Sequence, residues 1–156
     1  MKRGRLVILL VEDDDHDIFF VKQATRASSA GHTVHAVHDG GEAIHYLKGE
    51  GAFRDRYQFP APNVILTDIQ MPGMNGFEFL KWLRAHPQYS IIPAMVYSSS
   101  CLEEDVREAY RLGANAYIAK PDVLKEMVEM LRLIYEFWSR CECPPLPMWE
   151  AKKVGT

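Results

Sequence analysis

The chain has 156 residues and a mass of 17.9 kDa, which suits one domain with a single filled core. Hydrophobic residues make up 47% and charged residues 25%, and the formal net charge of -3 argues against a nucleic-acid-binding surface, which would need a basic patch. No apolar stretch approaches the roughly 18 residues of a membrane span. The 3 cysteines are an odd number and do not form a disulfide framework.

Five short apolar runs alternate with amphipathic segments, a pattern typical of βα units around a parallel sheet. The predicted strands are, in chain order, Leu6–Val11, Thr33–Val37, Val64–Thr67, Ile91–Tyr97 and Ala116–Ala119. The run Val64–Thr67 is too short for a helix and suits a central strand that is buried on both faces. We therefore expect an α/β domain.

The predicted helices fill the gaps between these strands. They run from Asp15 or His16 to about Ser29, over a short stretch after Gly40-Gly41, from about Asn75 to Pro87, from Ser100 to Gly113, and from Asp122 to about Arg140. Asn75 with Glu78, and Ser100 with Glu103, have the spacing of capping boxes for the third and fourth helices. Residues 49–62 predict a surface loop.

Chemically active side chains follow four of the five strands. Glu12-Asp13-Asp14 comes after the first strand, Asp68 after the third, Ser98 after the fourth and Lys120 after the fifth. Because the carboxyl ends of parallel strands meet at one edge of a sheet, we expect these side chains to share one crevice.

The chemistry of this group favours phosphoryl transfer. Clustered carboxylates repel one another, so they need a cation or a proton, and their oxygens suit Mg²⁺. A metal and the Lys120 ammonium around one exposed carboxylate would stabilise a phosphoryl group in transfer, with Asp68 as the nucleophile. Taken singly, these residues have simpler interpretations: a solvated helix start, a loop cap and a surface lysine. Their shared position at the strand ends favours the functional one.

The chain resembles the receiver domain of two-component response regulators from about residue 5 to residue 140. The resemblance is carried by Ile8–Asp13, Asp68–Pro72, Met74–Gly76, Ser98 and Lys120-Pro121. It implies a flavodoxin-like (βα)5 fold, a doubly wound parallel sheet of five strands in the order 2-1-3-4-5. It also implies a single receiver domain of residues 1–140 with an extended last helix, followed by a tail of residues 141–156.

The same resemblance implies a role for each matching residue. These roles are Asp68 as the phosphoacceptor, Glu12 and Asp13 as the acidic pair for Mg²⁺, the Gln70 carbonyl as a further metal ligand, Ser98 as the hydroxyl that turns to the phosphoryl group, Lys120 as its charge partner, and Tyr117 as the switch aromatic. It also implies a cis peptide bond between Lys120 and Pro121. The extended acidic run leaves Asp14 open as an alternative inner ligand, although the strand register favours Asp13.

The implied biology is that of a signalling protein and not of an enzyme. The phosphoryl group would come from a partner histidine kinase, since none of the histidines here is a convincing donor. The expected location is the cytoplasm. A narrower likeness, to stand-alone regulators paired with phytochrome-type kinases, rests on Lys48–Gly51 and on Phe137-Trp138 with a Leu-Pro further on. We expect no DNA-binding domain after Arg140.

The last predicted helix has two apolar stripes. One stripe can face the sheet and contains Leu124, Met127, Leu131, Ile134 and Trp138, and the other contains Val123, Met130 and Phe137. A second stripe needs a cover, either the tail Cys143–Trp149 or a second subunit. We expect a homodimer through this helix.

Three rival functions are weaker. A Mg²⁺-dependent phosphohydrolase with an Asp nucleophile would place a general acid where Gln70 stands. A flavin- or nucleotide-binding module would need a phosphate-binding loop where Glu12–Asp15 would repel phosphate. A receiver-like interaction module that is never phosphorylated would not need so complete a site. Metal binding by His35, His38 and His45, or by Cys141 and Cys143, is not expected.

Overall fold

The computed structural model describes residues 4–28 and 31–144, in which strands and helices alternate. The elements are β1 Val7–Val11, α1 Asp15–Ala27, β2 Thr33–Val37, α2 Gly40–Lys48, a 3-10 helix Gly51–Phe53, β3 Val64–Thr67, α3 Gly76–Ala85, β4 Ala94–Ser98, α4 Glu103–Arg111, β5 Ala116–Ala119 and α5 Leu124–Arg140. The strands form one parallel sheet in the order β2-β1-β3-β4-β5. The predicted flavodoxin-like fold and strand order are confirmed.

The register of the sheet aligns the strand ends. Thr67 in β3 pairs with Val11 in β1 and with Val96 in β4, and Ser98 in β4 pairs with Ala119 in β5. The residues that follow these positions therefore leave the sheet along the same edge. This alignment determines where the functional site lies.

Two hydrophobic cores lie on opposite faces of the sheet, because side chains alternate along each strand. Leu9 and Ile65 pack on one face with residues of α2 and α3. Ile8 and Leu66 pack on the other face with residues of α1 and α5. The central strand β3 is buried along its whole length, as its continuous apolar run predicts.

Several predicted boundaries differ from the structure. The fourth strand begins at Ala94 and not at Ile91, because the carbonyls of Ser90 and Ile92 accept hydrogen bonds from the Arg84 guanidinium instead of entering the sheet. The last helix begins at Leu124 instead of Asp122, and the first ends at Ala27. Ser29, its predicted end, lies outside the described residues.

One of the two predicted capping boxes is confirmed. The Asn75 side chain accepts from the backbone N–H of Glu78, whose carboxylate accepts from the backbone N–H of Asn75. The box predicted from Ser100 and Glu103 is wrong, since α4 has no side-chain cap. The Ser100 hydroxyl instead donates to the Asp105 carboxylate at 2.5 Å. A hydrogen bond to a charged acceptor is stronger than one between neutral groups.

The predicted surface loop, residues 49–62, is partly an aromatic cluster. Phe53 and Phe59 pack against the buried ring of Tyr46 at centroid distances of 5.1 and 6.1 Å. Arg56 donates to the backbone carbonyl of Tyr46 at 2.8 Å and holds the segment against α2. In the sequence, the only indication of this packing was the spacing of the aromatic residues in the segment.

The predicted sheet-facing stripe of α5 is correct in part. Met127 and Leu131 are buried, whereas Leu124 is 48% exposed at the first turn of the helix. The third buried position is Tyr135, whose hydroxyl shares a hydrogen bond of 2.5 Å with the Thr25 hydroxyl on α1. This contact joins the buried side of α5 to α1. Of the predicted tail, residues 145–156 lie outside the described part of the chain.

None of the helices within residues 4–28 and 31–144 combines the length and the apolar character that a bilayer crossing requires.

Candidate functional site

The strand ends bring the predicted charged residues into direct contact. The Lys120 ammonium donates to the Glu12 carboxylate at 2.6 Å and to the Asp68 carboxylate at 2.9 Å. It also donates to Asp17 on α1 at 2.8 Å, a residue that the sequence analysis did not include. The expected crevice of carboxylates and one ammonium therefore exists at this edge of the sheet.

Asp68 is held in place by its own backbone surroundings. Its backbone N–H donates to the Val11 carbonyl at 2.9 Å, which continues the pairing of β1 and β3. One carboxylate oxygen accepts from the Ile69 N–H at 2.7 Å, and the other accepts from Lys120. Gly76 packs so closely that a Cβ there would lie 2.0 Å from the Asp68 carbonyl oxygen. The glycine lets the start of α3 approach the phosphoacceptor candidate.

Glu12 is the buried carboxylate of the site, with 1% of its surface exposed. Burial raises the pKa of Glu12 to about 7, and the charge of Asp68 acts in the same direction, while the hydrogen bond from Lys120 opposes both. The single positive charge of Lys120 is shared among Glu12, Asp17 and Asp68, so it does not balance all three carboxylates. The pocket therefore favours either a proton or an additional cation.

Three carboxylates are arranged as possible metal ligands. One oxygen each of Glu12, Asp13 and Asp68 lie within 4.8 Å of one another. Carboxylate oxygens at this spacing, in a pocket short of positive charge, fit a hard divalent cation such as Mg²⁺. Asp14, the alternative inner ligand, caps α1 instead: its carboxylate accepts from the backbone N–H groups of His16 and Asp17. Gln70 is exposed on the loop after β3.

Ser98 and Tyr117 are both hydrogen-bonded to the backbone of the same residue, Ser100. The Ser98 hydroxyl oxygen accepts from the Ser100 N–H at 3.2 Å. The Tyr117 hydroxyl donates to the Ser100 carbonyl at 2.8 Å. Ser98 is buried and Tyr117 partly buried, and the backbone of Ser100 connects them through these two hydrogen bonds.

The expected cis bond between Lys120 and Pro121 is wrong, because every peptide bond of the described residues is trans. The trans isomer is the default for an X–Pro bond by about 0.5–1 kcal/mol. From this backbone Lys120 still reaches its carboxylates.

Comparison with known proteins assigns the family. The response regulator receiver domain family matches residues 8–132. The chain belongs to this family. Response regulator Rcp1 from Synechocystis is 34% identical over 132 residues, which cover 85% of this chain and 88% of Rcp1. The crystal structure of the phosphorylated cyanobacterial phytochrome response regulator RcpA is 34% identical with a TM-score of 0.82, and the match covers 91% of this chain and 100% of RcpA. The Mn²⁺-bound form of Rcp1 is 33% identical with a TM-score of 0.79, and the match covers 90% of this chain and 99% of that one.

Two residues of the receiver site were missed from the sequence. Asp17 lies in the first turn of α1, which begins directly after the acidic run at the end of β1, and this position was a signal that it could face the site. Tyr97 lies in β4 next to Ser98, and its ring centroid is 5.6 Å from the Lys120 ammonium. Nothing in the apolar run that contains Tyr97 distinguishes it from a core residue. The functional roles of the site residues remain predictions.

Proposed function

We propose that this receiver is a stand-alone response regulator that accepts a phosphoryl group from a histidine kinase onto Asp68. The observation that carries the proposal is the contact of Lys120 with Asp68 beside the carboxylates of Glu12 and Asp13. The stand-alone role is supported by Rcp1, which is matched over 88% of its own length.

In the proposed reaction, an Asp68 carboxylate oxygen attacks the phosphorus of a phosphohistidine on the kinase. The new P–O bond forms as the P–N bond breaks, and the imidazole of the kinase leaves with the electron pair of that bond. Lys120 donates a hydrogen bond to a phosphoryl oxygen and balances its charge. Mg²⁺, when held by Glu12, Asp13, Asp68 and the Gln70 carbonyl, supplies further charge neutralisation on the phosphoryl oxygens. Support for a metal comes from Rcp1, whose structure was solved with Mn²⁺ bound.

We further propose that the signal leaves the site through Ser98 and Tyr117. If the Ser98 hydroxyl turns to the phosphoryl group, the Ser100 N–H loses its acceptor. The Ser100 carbonyl, which holds Tyr117, moves with the same residue. A local change at the phosphorylation site would thus alter the surface formed by α4 and β5.

A phytochrome-type kinase is the proposed partner, since RcpA is a phytochrome response regulator and is 34% identical to this chain. The cytoplasm is the proposed location, and its reducing conditions agree with the free cysteines Cys101, Cys141 and Cys143. No role in binding nucleic acid or membranes is proposed.

We also propose a homodimer through α5. Phe137 and Val123 are 60% and 53% exposed, so much of the second apolar stripe is open to solvent in a single chain. Met130, the third member of the stripe, is partly buried against the core. Exposed apolar residues in a row on one helix are typical of a protein contact surface.

The test of the phosphoacceptor is incubation with acetyl phosphate, with and without Mg²⁺, followed by intact mass measurement. The wild type should gain one phosphoryl group only with Mg²⁺, and Asp68→Asn should gain none. Asp55→Asn is the matched control, because Asp55 is an exposed aspartate away from the site, and it should behave as the wild type. Phosphorylation that survives Asp68→Asn would overturn the proposal. Turnover of a phosphomonoester would favour the phosphohydrolase, whose general acid is replaced here by Gln70.

A further inference from the structure

The Lys120 ammonium has three N–H groups, and each meets a different carboxylate. The nitrogen lies 2.6 Å from Glu12, 2.8 Å from Asp17 and 2.9 Å from Asp68. Only 8% of the lysine side chain is exposed, so little water can replace these partners. The position of the ammonium is therefore determined jointly by three acids.

Asp17 differs from the other two acids in its position and in its freedom. It belongs to the first turn of α1, and its side chain is 28% exposed. Its backbone N–H donates to the Asp14 cap, which fixes the start of the helix. It lies outside the cluster of Glu12, Asp13 and Asp68. Asp17 is thus the partner of Lys120 that stays available when Glu12 and Asp68 turn to a cation.

Tyr97 closes the site from the sheet side. Its ring is fully buried, and its centroid is 5.6 Å from the ammonium nitrogen, within the range of a cation–π contact. Burial would lower the pKa of Lys120, but its hydrogen bonds to Asp17, Glu12 and Asp68 outweigh burial and raise it. Lys120 therefore remains a cation, and its location and not its charge is what Asp17 can change.

We propose that Asp17 is a positioning residue that holds the Lys120 ammonium toward α1 and so leaves Glu12 and Asp68 able to accept a divalent cation. The inference deepens the proposed phosphoacceptor function and rests on it. Without the Asp17 charge, the ammonium is shared between two acids and competes more strongly with the metal for their oxygens. The site also loses one negative charge. Both effects weaken metal binding.

The experiment measures the Mg²⁺ Kd by isothermal titration calorimetry for the wild type and for Asp17→Asn. The Kd should rise about three- to tenfold, the range for losing one partly exposed charge interaction. Asp15→Asn is the matched control, because it removes the same charge from the same helical turn, while the Asp15 side chain is 89% exposed and contacts His38 instead of Lys120. It should leave the Kd within about twofold of the wild type. Asp17→Glu, which keeps the charge, should restore part of the affinity.

A double-mutant cycle separates positioning from a plain effect of charge. In a Lys120→Met background, Asp17→Asn should change the Kd by only about twofold or less, because the ammonium through which it acts is gone. An equal loss of affinity in both backgrounds would overturn the inference, as would a wild-type Kd for Asp17→Asn. Asp17→Ser provides a second neutral variant if Asp17→Asn does not fold.

A second readout works without metal. In metal-free protein, the NMR signal of the Lys120 ammonium should shift in Asp17→Asn and stay unchanged in Asp15→Asn. Identical signals in the wild type and both variants would count against the inference.

Failure of the proposed function can be distinguished from failure of the role of Asp17. If the wild type neither binds Mg²⁺ nor is phosphorylated, the proposed function fails. If it does both and Asp17→Asn matches it, only the role of Asp17 fails.

Discussion

At the scale of single residues, the site depends on one position without a side chain. Gly76 begins α3, and its Cα lies against the backbone of Asp68 and Ile69. Any side chain there would push the helix away from the loop that carries the phosphoacceptor candidate. The glycine thus couples the packing of α3 to the geometry of the crevice.

We expect Gly76→Ala to lower the free energy of unfolding by about 1–3 kcal/mol, the usual cost of adding an atom to a filled interior. The new methyl would lie 2.0 Å from the Asp68 carbonyl oxygen, so the backbone itself must shift. Chemical denaturation measures the loss, and phosphorylation by acetyl phosphate should also slow. Gly41→Ala is the control, since its methyl would meet one side-chain oxygen of Asp39 at 3.2 Å and no backbone atom. Equal stability of the two variants would contradict the prediction.

At the scale of elements, the start of β2 is tied to β1 and α5 through His32. The Leu6 N–H donates to Nδ1 of His32 at 3.0 Å, and the imidazole packs on the Tyr135 ring at a centroid distance of 5.1 Å. Because Nδ1 accepts a hydrogen bond, the imidazole is neutral in the folded state. Burial lowers the pKa of His32 below its ordinary value of 6.5.

A lowered pKa in a base makes the folded state sensitive to acid. Below pH 6.5 the unfolded chain takes up a proton at His32 that the folded chain resists, so the free energy of unfolding should fall as the pH falls. In His32→Asn, whose side-chain oxygen can replace Nδ1 as the acceptor, this fall should be less steep. Denaturation curves at pH 7 and pH 5 test it, with the exposed His45→Asn as the control. An unchanged pH dependence in His32→Asn would show that this histidine does not contribute.

At the scale of the whole molecule, the two faces of the sheet have different tasks. The face with α2 and α3 includes Ile69 and Met71 of the loop after Asp68. The face with α1 and α5 holds Tyr97 below Lys120. The outer side of α5 carries the exposed Phe137, where the proposed dimer would form.

Phe137→Glu should weaken self-association about tenfold or more, because an aromatic side chain that becomes buried on association is often central to an interface. Sedimentation at high micromolar concentration should show a dimer for the wild type and a monomer for the variant. Tyr57→Glu makes the same substitution at a side chain that is 94% exposed on the connection after α2, and it should remain a dimer. A monomeric wild type, phosphorylated or not, would exclude the dimer.

The sequence could predict the fold and most of the site, for a physical reason. Parallel strands place their carboxyl ends on one edge, so locating the ends of the first, third and fifth strands was enough to place Asp68 near Glu12 and Lys120. What the sequence could not predict depends on how each helix is rotated about its axis and on which of several possible partners a side chain contacts. Asp15 and Asp17 both lie in the first turn of α1, and the packing of that helix decides that Asp17 is the one that contacts Lys120.

The remaining errors have the same origin. The choice of Tyr135 over Leu124 as a buried position depends on the contact of α5 with Thr25 of α1. The cap predicted at Ser100 fails because α4 begins at Glu103 with Leu102 as its N-cap, so Ser100 lies two residues too early, and its hydroxyl donates to the Asp105 carboxylate. Periodicity identifies which residues form a stripe, but the neighbouring elements decide how that stripe is turned.

Ser100 takes part in four hydrogen bonds, and three of them would divide the proposed signal between two routes. Its N–H and carbonyl, which connect Ser98 to Tyr117, belong to the main chain and persist through most substitutions at this position. Its hydroxyl, which reaches Asp105 on α4, is lost with a single change of side chain. If the proposed signal passes through Ser100, one mutation would silence the branch to α4 in a descendant of this protein and leave the branch to β5 intact, so two outputs of one modification would be free to evolve separately.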